Sequence, residues 1–468
     1  MRVLETFIKW LFWGLWLAII AVSSYYIMAN AAWLIGDDTQ VLIYTGWDKP
    51  IFGFFCPPEW GRFFPLDYTV YDILPLFFDG QISATAHYVI HVFWFIIYMA
   101  FFAAIAFHIL KEQKNIWKYA ITFVVLLTVF GRTYIHFAQI WCGIWTILAF
   151  MPIFLYGYIR FFETKKWGYA IMSLLAINYV LYYYETMFTI PLAVGACALL
   201  FSYRQQDKAE RIFNYLLVAS GVLFLLLYAV LILPRIETVY GHYASDSLLM
   251  NALKALIAQK IMWLVLVTIV VRCVLLFRKR AKFTIYDSLL LGSCAYFIGV
   301  AVLHLDYTLY YTPAVILALP ALLYYAKEYL KPYMIFIIFA LLAALYVRKV
   351  PRCIRDNQKE RIETHENMCK LQSKIEQGVS LYFYIPDNPT LNAGELDLRS
   401  CRPVYLERIT AWYLNEPDYH IIRLDPQSDF EPGILAIDEK DEQIFMNECP
   451  SASPVDINFK GYKLYNIQ

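Results

Sequence analysis

Charge is the scarcest commodity in this 468-residue sequence. Only 16% of its residues are charged while 60% are hydrophobic, which excludes an ordinary soluble domain, where about a quarter are charged. Charge imbalance is missing as well: 39 basic and 38 acidic residues leave a formal net charge of +1, and no nucleic-acid partner is expected. The nine cysteines show no C-x-x-C or zinc spacing. There is no internal repeat or low-complexity tract. The polar C-terminal part lacks a nucleotide loop, a Gly-rich phosphate cradle and a nucleophile elbow.

What the chain has is apolar length, with a mean hydropathy of +0.51. The first apolar run, 10–32, follows Arg2 and Lys9 and ends in Ala29-Asn30-Ala31, which has the look of a signal-peptidase site. A signal peptide carries an apolar stretch of roughly 7–15 residues and this one has about 20, so an uncleaved anchor helix is the reading. Further runs follow near 87–110, 118–130, 139–158, 169–184, 187–203, 213–233, 261–277, 286–304, 311–325 and 333–347. About eleven transmembrane helices are therefore predicted, each set against a hydrocarbon core of roughly 30 Å.

With the N-terminus inside, Lys111, Lys114, Arg160, Lys165, Lys166, Arg204, Lys208, Arg278, Lys279, Arg280, Lys327 and Lys331 all fall on the cytoplasmic side. The opposite loops, 34–86, 131–138, the tight 185–186 turn, 234–260 and 305–310, hold few Lys or Arg. An odd helix count puts the tail on that outer side too, although Arg348 and Lys349 then run against the rule. The tail, 351–468, changes composition sharply. A helix is predicted over 356–378 and another over 403–414, with strands over 380–385, 420–424, 434–437 and 462–467. The predicted architecture is an all-α polytopic membrane domain, 1–350, followed by a small extracytoplasmic α/β domain. Cys353, Cys369, Cys401 and Cys449 lie in that tail, where an oxidising compartment could pair them in a way the sequence does not reveal.

The chemistry concentrates in the 34–86 loop. It opens with adjacent carboxylates, Asp37 and Asp38, then brings Tyr44, Trp47, Asp48, Lys49, Trp60, Arg62, Asp67, Tyr68 and Asp72, a set suited to a sugar and a phosphate. Two adjacent carboxylates repel, which favours one as a general base; they could equally hold a metal, or Asp could cap a following helix. Arg62, Arg132 and Arg235, each near an outer helix end, could grip phosphate oxygens, and for Arg132 and Arg235 snorkelling to the interface is an equal alternative. Glu185 stands in a turn so short that its carboxylate lies near membrane depth, where acids mark function. His136 in the second outer loop, with Tyr134 and Gln139, and Asp306 and Tyr310 in the fifth, could complete a sugar pocket. His87 and His91, four apart, share one helix face; interfacial histidines are expected there rather than a metal pair.

A short cytoplasmic N-terminus, one helix, an outer loop opening on Asp37-Asp38, a downstream Gly61-Arg62-Phe63-Phe64-Pro65, about ten more helices and a soluble tail together resemble the glycosyltransferase C-fold superfamily. The resemblance implies an enzyme that takes a sugar from a polyprenyl-phosphate carrier, with Asp37 and Asp38 at the positions of the catalytic acids. It further implies a cell-envelope glycan or lipid acceptor and a place in the bacterial inner membrane among its lipids. The superfamily contains metal-dependent and metal-independent members, so a divalent cation, Mg or Mn, is left open, with Asp37 or Asp38 as its oxygen ligand. An envelope polysaccharide polymerase, or a flippase or transporter of lipid-linked glycans, is the alternative reading of the same topology.

Overall fold

The computed structural model describes residues 2–36, 38–39, 42, 61, 63–66, 69–71, 74, 83–140, 144–236, 248–302, 309–385, 393–416, 418–424, 431–448 and 452–467. The first helix, α1, is Arg2–Met28. After the outer loop come α2 (Ala84–Ile109), α3 (Asn115–Phe137), α4 (Ile144–Thr164), α5 (Trp167–Tyr183), α6 (Thr189–Ser202) and α7 (Lys208–Leu231). They are followed by α8 (Leu248–Ala258), α9 (Ile261–Phe277), α10 (Ile285–Val302), α11 (Thr312–Tyr329) and α12 (Pro332–Val347). Among the described residues, eight helical stretches are long and apolar enough to cross a membrane, or nine if α8 and α9, bent by 107° at their junction, count as one. Of the other two predicted spans, α5 has 17 residues and α11 has 18 with Pro320 inside it. The chain is a multi-pass membrane protein.

Side-chain contacts separate the bundle into two ends. At one, His108 and Lys111 meet Glu163, Lys165 pairs with Glu210, and Lys327 reaches Glu112. Asp207 caps α7 there with a capping box closed by Glu210. The bond from the Glu210 backbone N–H, aided by Lys165, holds the Asp207 carboxyl below its ordinary value. Its contribution is complete above the unfolded carboxylate range and is lost as pH falls through that lowered value. Arg272 of α9 forks onto both oxygens of Asp287 at 2.8 Å and lies over the Tyr325 ring at 4.5 Å. A pair buried this deeply holds because every charge finds a partner.

The opposite end carries the tail. Helix α13 (Val350–Glu376) begins where α12 stops, and beyond it lie β1 (Ser380–Tyr384), α14 (Ala393–Leu414), β2 (Ile422–Leu424), β3 (Gly433–Asp438), α15 (Glu442–Glu448), β4 (Ser453–Pro454) and β5 (Tyr462–Ile467). The sheet runs β2-β1-β3-β5-β4, with β1 parallel to both neighbours and β5 antiparallel to β3. One apolar core continues from Phe12 and Trp16 through the bundle to Leu406, Trp412 and Leu464. Cys353 and Cys369, both on α13, are free thiols.

Three expectations are corrected. The second outer loop does not begin at Gly131, since α3 runs on to Phe137. Gly131 serves contact instead: a Cβ there would stand 2.6 Å from the Val347 backbone nitrogen, so the missing side chain lets α3 and α12 approach closely. The 234–260 loop contains α8, whose exposed Met250, Leu253 and Ile257 form an apolar stripe. The helix predicted over 356–378 starts earlier, at Val350.

Because that approach leaves no room, Gly131→Val should destabilise the protein by about 1–3 kcal/mol, the usual cost of overpacking. A thermal-unfolding midpoint equal to the parent's, measured in the same detergent, would show that the two helices can part at no cost.

Candidate active site

The chain leaves α1 through a turn at Ala29 and Asn30, the latter at φ 52°, and runs under α2 to Asp38. That carboxylate is 1% exposed. Its Oδ2 accepts from the Leu34 backbone N–H at 3.0 Å, and Asp38 is itself helical. This bond ties the acid to the preceding turn.

Against Trp33, next to the Leu34 N–H that Asp38 accepts from, gather rings and imidazoles from distant elements. Trp33 meets His87 edge-on with centroids 4.7 Å apart, and Tyr71, from a 3-10 turn at Thr69–Tyr71, packs on His87 at 4.9 Å. His91 lies against Trp145 at 4.3 Å. Its Nδ1 faces the Phe137 carbonyl at 3.0 Å, which can only accept, so Nδ1 bears the hydrogen and Nε2 accepts from the Tyr71 hydroxyl. His87 is fixed the same way, its Nδ1 donating to the Ser83 carbonyl at 3.2 Å. Both rings are wholly buried, not interfacial as expected. Both ring nitrogens of His91 are engaged in hydrogen bonds, and among the described residues no three His, Cys, Asp or Glu side chains cluster as a metal site.

The fourth wall comes from the tail. Arg361 of α13, 0% exposed, donates through Nη1 to the carbonyls of Ile27 and Ala29, each at 2.9 Å, and through Nη2 to that of Ala138 at 2.6 Å. Its guanidinium lies over the Tyr88 ring at 4.0 Å, and Tyr88 in turn stands within electrostatic reach of Asp38. Trp412 of α14 packs on Trp33 at 5.3 Å. The sequence reading passed over Arg361, though a signal was there: Val350, Asn357, Arg361, Met368 and Leu371 form one buried stripe at helical spacing, with an arginine in a core position.

A second group stands beside the first. Glu185 opens a 3-10 turn at Glu185–Phe188, and the preceding Tyr184 stacks on Tyr310 at 5.9 Å. The 63–71 segment links the two groups: the Leu66 N–H donates to the Tyr182 carbonyl at 3.0 Å, Thr69 bonds the Tyr179 hydroxyl at 2.6 Å, and Tyr71 reaches His91. Arg235 is exposed at the end of α7, next to Ile236, which lies against Gly61. Arg132 and His136 are helical residues of α3 and not loop residues as expected; Arg132 donates to the Gln259 side chain at 2.8 Å, at the α8–α9 bend. Asp37, Arg62 and Asp306 lie outside the described residues, as do Tyr44, Trp47, Asp48, Lys49, Trp60, Asp67, Tyr68 and Asp72.

No family model and no curated protein matches the sequence. Solved structures do match. Over 98% of both chains the protein is similar to the crystal structure of ArnT from Cupriavidus metallidurans bound to undecaprenyl phosphate, with a TM-score of 0.55 at 12% identity. The apo form of that protein matches with a TM-score of 0.52 at 11% identity, over 97% of both chains. The chain thus has an ArnT-like fold over nearly its whole length.

The Tyr71–His91 bond is the checkable joint of this arrangement. Tyr71→Phe leaves a buried imidazole nitrogen without its donor and should cost about 1–3 kcal/mol, with faster hydrogen exchange confined to the 63–71 segment and the start of α2. Unchanged stability and exchange would mean that the bond does not hold the loop.

Proposed function

We propose that this protein is a membrane glycosyltransferase that moves a sugar from a polyprenyl-phosphate carrier to a cell-envelope glycan or lipid, at the outer face of the bacterial inner membrane. The observation that carries the reading is Asp38: a carboxylate 1% exposed, in the first segment after α1, bonded to the Leu34 N–H and within electrostatic reach of Tyr88, at the bundle end that also bears the tail. An ArnT-like fold over 98% of the chain supports it, and the undecaprenyl phosphate bound to ArnT supports a lipid phosphate as the donor's carrier. The lysines and arginines gathered at the other bundle end support placing that end in the cytoplasm.

In the proposed step an acceptor hydroxyl loses its proton to Asp38 or Asp37 as its oxygen bonds the anomeric carbon of the donor sugar. The bond from that carbon to the phosphate oxygen breaks, and polyprenyl phosphate leaves with the electron pair. Arg62 and Arg235 are proposed to meet the leaving phosphate, since a guanidinium can hold two of its oxygens at once. Arg132, bonded to Gln259, is the weaker candidate of the three. Glu185 and Tyr310 are proposed to bind the sugar, one by hydrogen bonding to hydroxyls and the other by ring contact, with Asp306 and His136 proposed to complete the pocket. If a divalent cation takes part, Asp37 or Asp38 would hold it and it would neutralise phosphate charge.

Purified protein given a labelled polyprenyl-phosphate sugar and envelope acceptors should release polyprenyl phosphate. Asp37→Asn and Asp38→Asn, made separately, keep side-chain volume and remove the charge. One of the two should lose transfer by on the order of 10²–10⁴, the usual weight of a general base. Turnover like the parent's in both variants, at equal folded protein, would remove the acids from the chemistry.

A further inference from the structure

Arg361 belongs by sequence to the tail and by contact to the ends of α1 and α3. A helix leaves its last carbonyls without partners and carries negative potential there, so a cation is the natural partner at that place. Here one planar group answers two helix ends together, with Ile27 and Ala29 on one side and Ala138 on the other. Lysine, a single ammonium point, cannot span the three carbonyls in that geometry. Two of the carbonyls it fixes, those of Ile27 and Ala29, are where the chain departs toward Asp38, and the Leu34 N–H bond to Asp38 closes the same short segment. Under the guanidinium lies the Tyr88 ring, at 4.0 Å and within electrostatic reach of Asp38.

We propose that Arg361 is a positioning residue for Asp38, so that the C-terminal domain is a working part of the catalytic assembly and more than a cover over it. The inference rests on the glycosyltransferase reading. Docking of α13 does not hang on this side chain alone: Gln358 donates to the Tyr26 carbonyl at 2.9 Å and accepts from Asn30 at 2.9 Å, one turn away. Loss of Arg361 should therefore leave the helix seated and the carboxylate misplaced.

The test compares the parent with Arg361→Lys, Arg361→Met and, as a control on the same helix, Arg352→Met, whose side chain is 80% exposed. Each is assayed in detergent with the labelled polyprenyl-phosphate sugar, and hydrogen exchange is followed by peptide. A reacting group displaced by about 1 Å loses on the order of 10² in rate, so Arg361→Met should fall by that factor in kcat and Arg361→Lys by at least about tenfold. The KM for donor should stay within about twofold, because binding groups elsewhere are untouched. Exchange should quicken over 27–36 and stay as in the parent over 167–183, while Arg352→Met behaves as the parent throughout. A kcat within about twofold of the parent in both Arg361 variants would overturn the proposal. So would a uniform rise in exchange along the chain, which marks a merely structural residue. If the parent itself transfers no sugar, the functional reading falls; the exchange pattern then decides alone whether Arg361 orders the segment that holds Asp38.

Discussion

The charge of Arg361 is buried where backbone carbonyls gather to receive it. Arg361 carries a full positive charge with no exposure to water, and three carbonyls at two helix ends accept from it. Away from water, carbonyls at helix ends are costly when unanswered, and so is a lone guanidinium. Each solves the other's problem. From that mutual need follow the convergence of α1 and α3, the seating of α13 across them, and the path of the segment that delivers Asp38 beneath α2.

The two ends of the bundle treat charge differently. At the basic end, apart from the buried Arg272–Asp287 pair, ion pairs such as Lys327 with Glu112 and Lys165 with Glu210 each keep one partner open to water and contribute little. At the end bearing the tail, polar groups are buried and bonded one by one to backbone or ring partners, as His87 and His91 are to the carbonyls of Ser83 and Phe137. The first arrangement tolerates change, whereas the second fixes geometry. A site for a phosphate-bearing lipid and a sugar requires the second kind, because orientation there is worth more than affinity.

The apolar spans were legible because crossing a membrane demands only length and hydropathy. The strands of the tail were legible too, since alternation survives in segments such as Tyr462–Ile467, buried at every other position or nearly so. The end of α3 was misread for a physical reason: Gly131 and Arg132 look like a loop opening, but the glycine is needed where the α12 backbone comes within contact distance. The place of Asp38 could be read from its position after the first helix. Its neighbours could not, since Arg361 and the Ile27 carbonyl it meets are 334 positions apart and nothing local marks them as partners. The strand order β2-β1-β3-β5-β4 was equally hidden, because it depends on crossovers and not on any strand's own pattern.

Helices α12 and α13 follow one another with only Arg348 and Lys349 between them, forming a single rod from Pro332 to Glu376. Each residue along such a rod turns the side-chain direction by about 100°. The face that α12 shows to α3 at Tyr346 and Val347 therefore sets the compass heading of Arg361. Inserting or deleting one residue between them would swing the guanidinium away from its carbonyls without changing a single amino acid at the site. Over this stretch, the chain has to keep count as well as composition.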